Sequence, residues 1–309
     1  MVCLSRATLS AKALKSITSF YSYHIYNLQI VSVIRFPFLN ESKIKETNDI
    51  LIREQFSKNI NQSVNDKIDL EEGILTRKDI GIFNIKRGNE ISFFRFSKKV
   101  SDSDIAKSII NIILGFCLYQ KKKLVFHSSA IEVDNQAILF SGLSGSGKSS
   151  LSISFHDCNF ITEDVSCIDF SDEQPAVIPG LPLVKLSDAI ANRFIKHAEK
   201  IPLDFDRLGR SYYHVKNHIN ENIPISKLYF LEWGNTFKIS EIEPKETLTR
   251  LFLSTFSSVP IGSCKTSSKI MMQNLSIFLQ SVKVYLLCRD KDMSFRDNDK
   301  IMRHILQNH

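Results

Sequence analysis

The chain has 309 residues, 43% apolar and 24% charged, with a formal net charge of +7, the composition expected of an ordinary soluble globular protein with room for one large or two modest domains. Its longest apolar run, Ile109–Tyr119, is far short of the ~20 residues that span a bilayer, and its basic residues are dispersed, the densest group being Lys121-Lys122-Lys123, so neither a membrane nor a nucleic acid is expected as a partner. Cys3, Cys117, Cys158, Cys167, Cys264 and Cys288 form no CxxC pair, which argues against a disulfide framework or a zinc site and fits a reducing, cytoplasmic setting.

Residues 1–20 contain Arg6, Lys12 and Lys15 and no acid, the first being Glu41. This is the composition of a presequence or of a short basic extension, and we read it as an extension. Residues 21–38 are rich in aromatic and β-branched side chains and predict strands, as do Asn48–Gln55, Ile80–Arg87 and Glu90–Phe96, so 21–97 forms a small β-rich unit. Ser101–Gln120 opens on an SDSD N-cap and continues apolar almost all round, which predicts a buried helix.

From 98 to 309 the pattern becomes α/β with a mixed sheet. Strands are predicted over Leu124–Val133 and Gln136–Phe140, joined by Asp134-Asn135, and then a helix over Lys148–His156. Asn159–Thr162 is a strand ending on Glu163-Asp164, with Cys167–Phe170 as its hairpin partner. Helices at Ser187–Lys196, Pro244–Thr255, Ser267–Gln280 and Asp297–Gln307 then alternate with strands at Lys227–Glu232 and Val282–Arg289.

The chemistry concentrates between Phe126 and Asp164. Gly142-Leu143-Ser144-Gly145-Ser146-Gly147-Lys148-Ser149 satisfies GxxxxGK[ST] in full, between an apolar strand and a helix. Glycines let consecutive N–H groups turn toward one anion. Lys148 is placed to reach the β/γ oxygens and Ser149 to offer its hydroxyl to Mg²⁺. Gly142, Ser144, Gly145, Ser146, Gly147, Lys148, Ser149 and the following Ser150 are therefore the predicted ATP-binding residues. Glu163 and Asp164, at the end of the next strand, suit a metal-holding carboxylate beside a proton acceptor. His127 lies in a strand-like stretch and Arg210 follows the flexible Gly209; residue type alone assigns a role to neither.

Several phosphate-binding classes are set aside. The string nearest a GTPase NKxD is Arg289-Asp290-Lys291-Asp292, which lacks the asparagine; there is no LSGGQ-type signature and no arginine-rich lid.

"HSSAIEVDNQAILFSGLSGSGKSSL…FITEDVSCI" resembles the catalytic core of HPr kinase/phosphorylase: a histidine-containing strand, a hairpin into the phosphate loop, a helix, and a strand ending in an acidic pair. It is more similar still to the smaller relatives that phosphorylate lasso-peptide precursors, in which a PG.P.L.L string stands where Pro179-Gly180-Leu181-Pro182-Leu183-Val184-Lys185-Leu186 stands here. The resemblance implies a P-loop core of the HPr-kinase/PEP-carboxykinase-like type. It implies a serine kinase using ATP and Mg²⁺, acting on a small protein or peptide, with a homo-oligomer left open. Carried over by position, it makes His127, Lys148, Glu163 and Asp164 the catalytic residues and Ser149 with Asp164 the metal ligands. Glu163 stands where the family has Asp, one methylene longer, and the family's RGLGI string is missing, so neither HPr as acceptor nor dephosphorylation is implied. A nucleotide-binding regulator that does not turn over, and a small-molecule kinase, are the alternative readings.

Overall fold

Turn chemistry organises the first part of the chain. Tyr26 and Asn27, at φ 52° and 58°, join strands β1 (Tyr21–Ile25) and β2 (Leu28–Ser32) in a two-residue hairpin; consecutive positive φ values match the right-handed twist of paired strands. The computed structural model describes residues 20–45, 47–56, 66–155, 157–195, 200–201, 209–256, 265–290 and 295–307. Nearly all of the basic extension thus lies outside the described residues. β3 (Ile50–Glu54), β4 (Lys67–Ile68), β5 (Glu72–Arg77), β6 (Gly81–Lys86) and β7 (Glu90–Arg95) complete a seven-stranded sheet in the order β1-β2-β3-β7-β6-β5-β4.

The predicted helix at 101–120 forms in three pieces: α1 (Asp102–Ser108), a π-helical turn at Ile109–Ile113, and α2 (Leu114–Gln120). Ser101 and Asp104 cap it reciprocally, each side chain accepting from the other's backbone N–H. Its far end is tied to the sheet: Gln120 accepts from Gly88 N–H at 2.7 Å and donates to Asp69 O at 2.9 Å. By internal contacts the chain divides into Met1–Lys123 with Val259–Lys269, and Leu124–Ser258 with Ile270–His309. This helix therefore groups with the β-rich unit, and the division falls after Lys123 where composition suggested 97.

The second unit is built on a nine-stranded mixed sheet. β8 (Leu124–Phe126), β9 (Ser128–Val133), β10 (Gln136–Ser141), β11 (Asn159–Thr162), β12 (Ser166–Asp169) and β13 (Ala176–Ile178) belong to it, and β14 (Leu183–Ser187) pairs separately with β15 (Arg210–His214). The remaining strands are β16 (Ile223–Gly234), β17 (Lys238–Glu241) and β18 (Lys283–Asp290). β10, β16 and β18 run parallel side by side. The helices are α3 (Lys148–Ser154), α4 (Asp188–Phe194), α5 (Pro244–Ser254), α6 (Lys265–Ser281) and α7 (Asn298–Leu306).

Alternation along β10 splits the core between the two faces. Ala137 and Leu139 join a cluster with Leu251 of α5 and Leu275 and Phe278 of α6. Ile138 and Phe140 face Leu151 of α3 and Ile301 and Ile305 of α7. Both faces are covered, as a sheet centred on parallel strands requires. The buried Lys227 donates its ammonium to Ile305 O at the end of α7, where a cation complements the helix dipole. Among the described residues no helix is long and apolar enough to cross a membrane.

Two local expectations are corrected. Leu124–Val133 is not one strand: β8 pairs with β12, β9 pairs with β10 and β11, and His127 sits at the break. There the His127 N–H leaves the ladder and donates to Ser254 O at the end of α5, at 2.7 Å. The strand at Cys167–Phe170 is not the hairpin partner of β11; β12 lies between β8 and β13.

Candidate active site

β10 delivers the chain into the loop 142–147, and α3 starts at Lys148. Gly142 is required where the loop leaves the strand: its φ is +140°, and a Cβ there would stand 2.7 Å from Leu231 O. Gly147, at φ +87°, is the residue before the helix and brings no side-chain acceptor to the first-turn amides, which leaves them to an anion. Ser144 and Gly145 are exposed, Ser150 is half-buried, and Ser146 is buried with its hydroxyl lacking a hydrogen-bond partner. Lys148 is buried and donates to the carbonyls of Gly142 at 2.9 Å and Leu143 at 3.2 Å. Burial pulls its pKa down, opposed by the charges of Asp164 and Glu163, and the Arg210 charge adds to the lowering.

Asp164 carries the feature that arranges the acidic pair. Its φ is +61°, and Val165 N–H bonds back to Glu163 O at 2.7 Å. An i to i+2 hydrogen bond across a residue of positive φ is the form of the strained γ-turn. The reversal sends neighbouring carboxylates to different partners. Glu163 accepts from the Ser149 hydroxyl through one oxygen and from Lys185 N–H, at 2.8 Å, through the other. Asp164 faces His127: the ring Nδ1 stands 3.0 Å from Asp164 O and 3.9 Å from Asp164 Oδ1. A carbonyl oxygen only accepts, so Nδ1 carries a proton toward Asp164 O and Nε2 is the ring atom left for another partner.

All four predicted catalytic residues thus converge. Ser149, expected beside Asp164, is bonded instead to Glu163. Burial and then the neighbouring Asp164 charge hold the Glu163 pKa above the carboxylate range, against the lowering by its two hydrogen bonds. In the metal-free protein the consequence has a definite sign. The unfolded chain ionises Glu163 near its ordinary value of 4.5 and the folded chain only at higher pH, so stability falls as pH rises through that interval. Glu163→Gln removes the penalty and retains both bonds, its amide oxygen facing Lys185 N–H and its NH₂ facing the Ser149 hydroxyl. Thermal melts in EDTA are expected to show the variant more stable than the parent at mildly alkaline pH. The difference should vanish below about pH 4.

The oxygens of Ser149 and Glu163 suit Mg²⁺, which takes one or two protein ligands and completes its shell with phosphate and water. Among the described residues no three His, Cys, Asp or Glu side chains cluster closely enough to hold a metal by themselves. A cavity of about 800 Å³ extends from His127 past Leu143 and Phe230 to Trp233 and Arg250.

Two participants escaped the sequence reading. Trp233 donates from Nε1 to Gly145 O at 2.9 Å, and Arg289 donates from Nη2 to Ser146 O at 2.5 Å. Their signal was positional: each stands near the C-terminal end of a strand parallel to β10, the end at which α/β sheets bind ligands.

No family model matches the chain, and no curated protein matches it. Among solved structures it is similar to the Hpr(Ser) kinase/phosphatase from Coxiella burnetii, at 10% identity over 59% of this chain and 97% of that one, with a TM-score of 0.31. A likeness at that level leaves the chemistry to be read from the residues themselves.

Proposed function

We propose that this chain is an ATP- and Mg²⁺-dependent kinase that transfers the γ-phosphoryl group to a serine hydroxyl of a small protein or peptide. The observation that carries the reading is one connected arrangement. The Ser149 hydroxyl bonds Glu163, Glu163 is followed by the turned Asp164, and Asp164 faces the His127 ring. A phosphate cradle alone would serve any nucleotide-binding protein; a proton acceptor beside it suits attack by a hydroxyl.

In this reading the loop amides from Gly142 to Ser149 and the Lys148 ammonium hold the triphosphate of the substrate ATP. Ser149 and Glu163 are the residues that would hold Mg²⁺, which when bound neutralises charge on the β- and γ-oxygens. Asp164 takes the proton of the acceptor hydroxyl as its oxygen bonds to the γ-phosphorus. The bond from that phosphorus to the β,γ-bridging oxygen breaks and ADP leaves. His127 holds the Asp164 turn through Nδ1 and offers Nε2 to the acceptor side.

A regulatory nucleotide-binding role draws on a different observation: both Glu163 oxygens and the Lys148 ammonium are already engaged by the protein itself. Incubation with γ-labelled ATP, Mg²⁺ and a panel of serine-containing peptides and small proteins separates the two. Label on serine, lost in EDTA, is the expected result. Nucleotide binding with no transfer to any acceptor would establish the regulatory role, and label on a metabolite alone would reassign the acceptor to small molecules.

A further inference from the structure

We infer that Trp233 and Arg289 are positioning residues that hold the phosphate loop in its anion-binding form and supply positive charge to it. The inference rests on the reading of 142–149 as a polyphosphate site and assigns residues outside the motif to it.

The two side chains are register partners on adjacent parallel strands, Trp233 on β16 opposite Arg289 on β18. The guanidinium carbon lies 4.6 Å from the centre of the indole ring, within cation–π range. Together they grip consecutive loop carbonyls, Trp233 that of Gly145 and Arg289 that of Ser146. In a trans peptide the C=O and the following N–H point in opposite directions. Fixing the Gly145 carbonyl on the indole therefore turns Ser146 N–H the other way, where it closes a turn on Leu143 O at 3.1 Å. Fixing the Ser146 carbonyl on Arg289 turns Gly147 N–H away from the guanidinium. Gly147 has to be glycine for this packing as well, because a Cβ would stand 2.9 Å from Arg289 Nη2.

The burial of Arg289 gives the second half of the argument. It is 1% exposed, its Nε has no hydrogen-bond partner, and no carboxylate pairs with it among the described residues. An unpaired buried cation is costly. Burial lowers its pKa only to about 10, so it remains charged at neutral pH. A cation bonded to the Ser146 carbonyl of that loop has its compensation when a polyphosphate binds.

Trp233 is the only tryptophan in the chain, so its emission reports on the loop without labelling. In the wild-type protein, ATP is expected to change that emission with the same half-saturation as binding measured by calorimetry. Trp233→Phe, which keeps a ring and loses the N–H, and Arg289→Met, which loses charge and donors, should each weaken ATP binding about tenfold or more. Arg289→Lys, which keeps the charge, should recover part of the loss. The effect should fall on KM for ATP more than on kcat, and should be larger for ATP than for AMP. Far-UV circular dichroism and Tm certify each fold; if Arg289→Met does not fold, Arg289→Lys and Trp233→Phe carry the test. Wild-type protein that binds ATP while folded variants bind it equally well would overturn the inference and leave the proposed function standing. Wild-type protein that binds no nucleotide would overturn the proposed function itself.

Discussion

Lys148→Ala is expected to reduce phosphoryl transfer by at least about 10²–10³-fold, the usual cost of removing one fixed donor from a developing charge. The position explains why a smaller effect is not expected. The ammonium is buried and reaches the carbonyls of Gly142 and Leu143, at the mouth of the loop. It is desolvated before any substrate arrives, so its charge acts in a low-dielectric setting on the phosphoryl oxygens it meets. The charges of Asp164 and Glu163 oppose the lowering of its pKa that burial causes. Removing it also takes a buried cation out of the folded protein, so Tm should change far less than rate. Single-turnover transfer of γ-label at saturating ATP, beside calorimetric ATP affinity and a thermal melt, measures all three quantities. Transfer at the parental rate by a folded Lys148→Ala protein would remove the loop from the chemistry.

The features that the sequence displayed openly are those whose physics is local. A GxxxxGK[ST] string keeps its glycines, lysine and hydroxyl within a few consecutive positions, so the strand, loop and helix around 142–149 were legible from it. The capped helix start at Ser101 was legible for the same reason, its capping bonds staying within four residues. What stayed hidden was set by distant partners or by one backbone angle. His127 read as a strand residue because its neighbours are apolar and β-branched; the bond from its N–H to Ser254 O breaks the strand. Cys167–Phe170 looked like the return of a hairpin, yet its hydrogen bonds go to β8 and β13. Trp233 and Arg289 meet only because β16 and β18 are in parallel register. The acidic pair was legible as two acids and not as two directions. The resemblance set Ser149 with Asp164; across the turn at Asp164 it is Glu163 that accepts from the Ser149 hydroxyl.

That turn makes Asp164 the position at which chemistry and stability are expected to separate. Asn preserves the shape and tolerates a positive φ, but it cannot take a proton. Asp164→Asn should therefore fold with nearly the parental Tm and lose about 10²–10⁴-fold in transfer rate, the range for a positioned general base. Asp164→Gly removes the steric strain of φ +61° together with the carboxylate, so it should be as inactive and at least as stable. Asp164→Ala keeps the strain without the local hydrogen bonding that Asp and Asn bring to such conformations, and should be the least stable of the three by about 1–2 kcal/mol. ATP affinity in Mg²⁺ is the quantity that discriminates between roles. If Asp164 accepts the proton and Glu163 shares the metal with Ser149, Asp164→Asn leaves that affinity nearly unchanged while Glu163→Gln weakens it. The reverse pattern would place Asp164 on the metal with Ser149, as the resemblance implies.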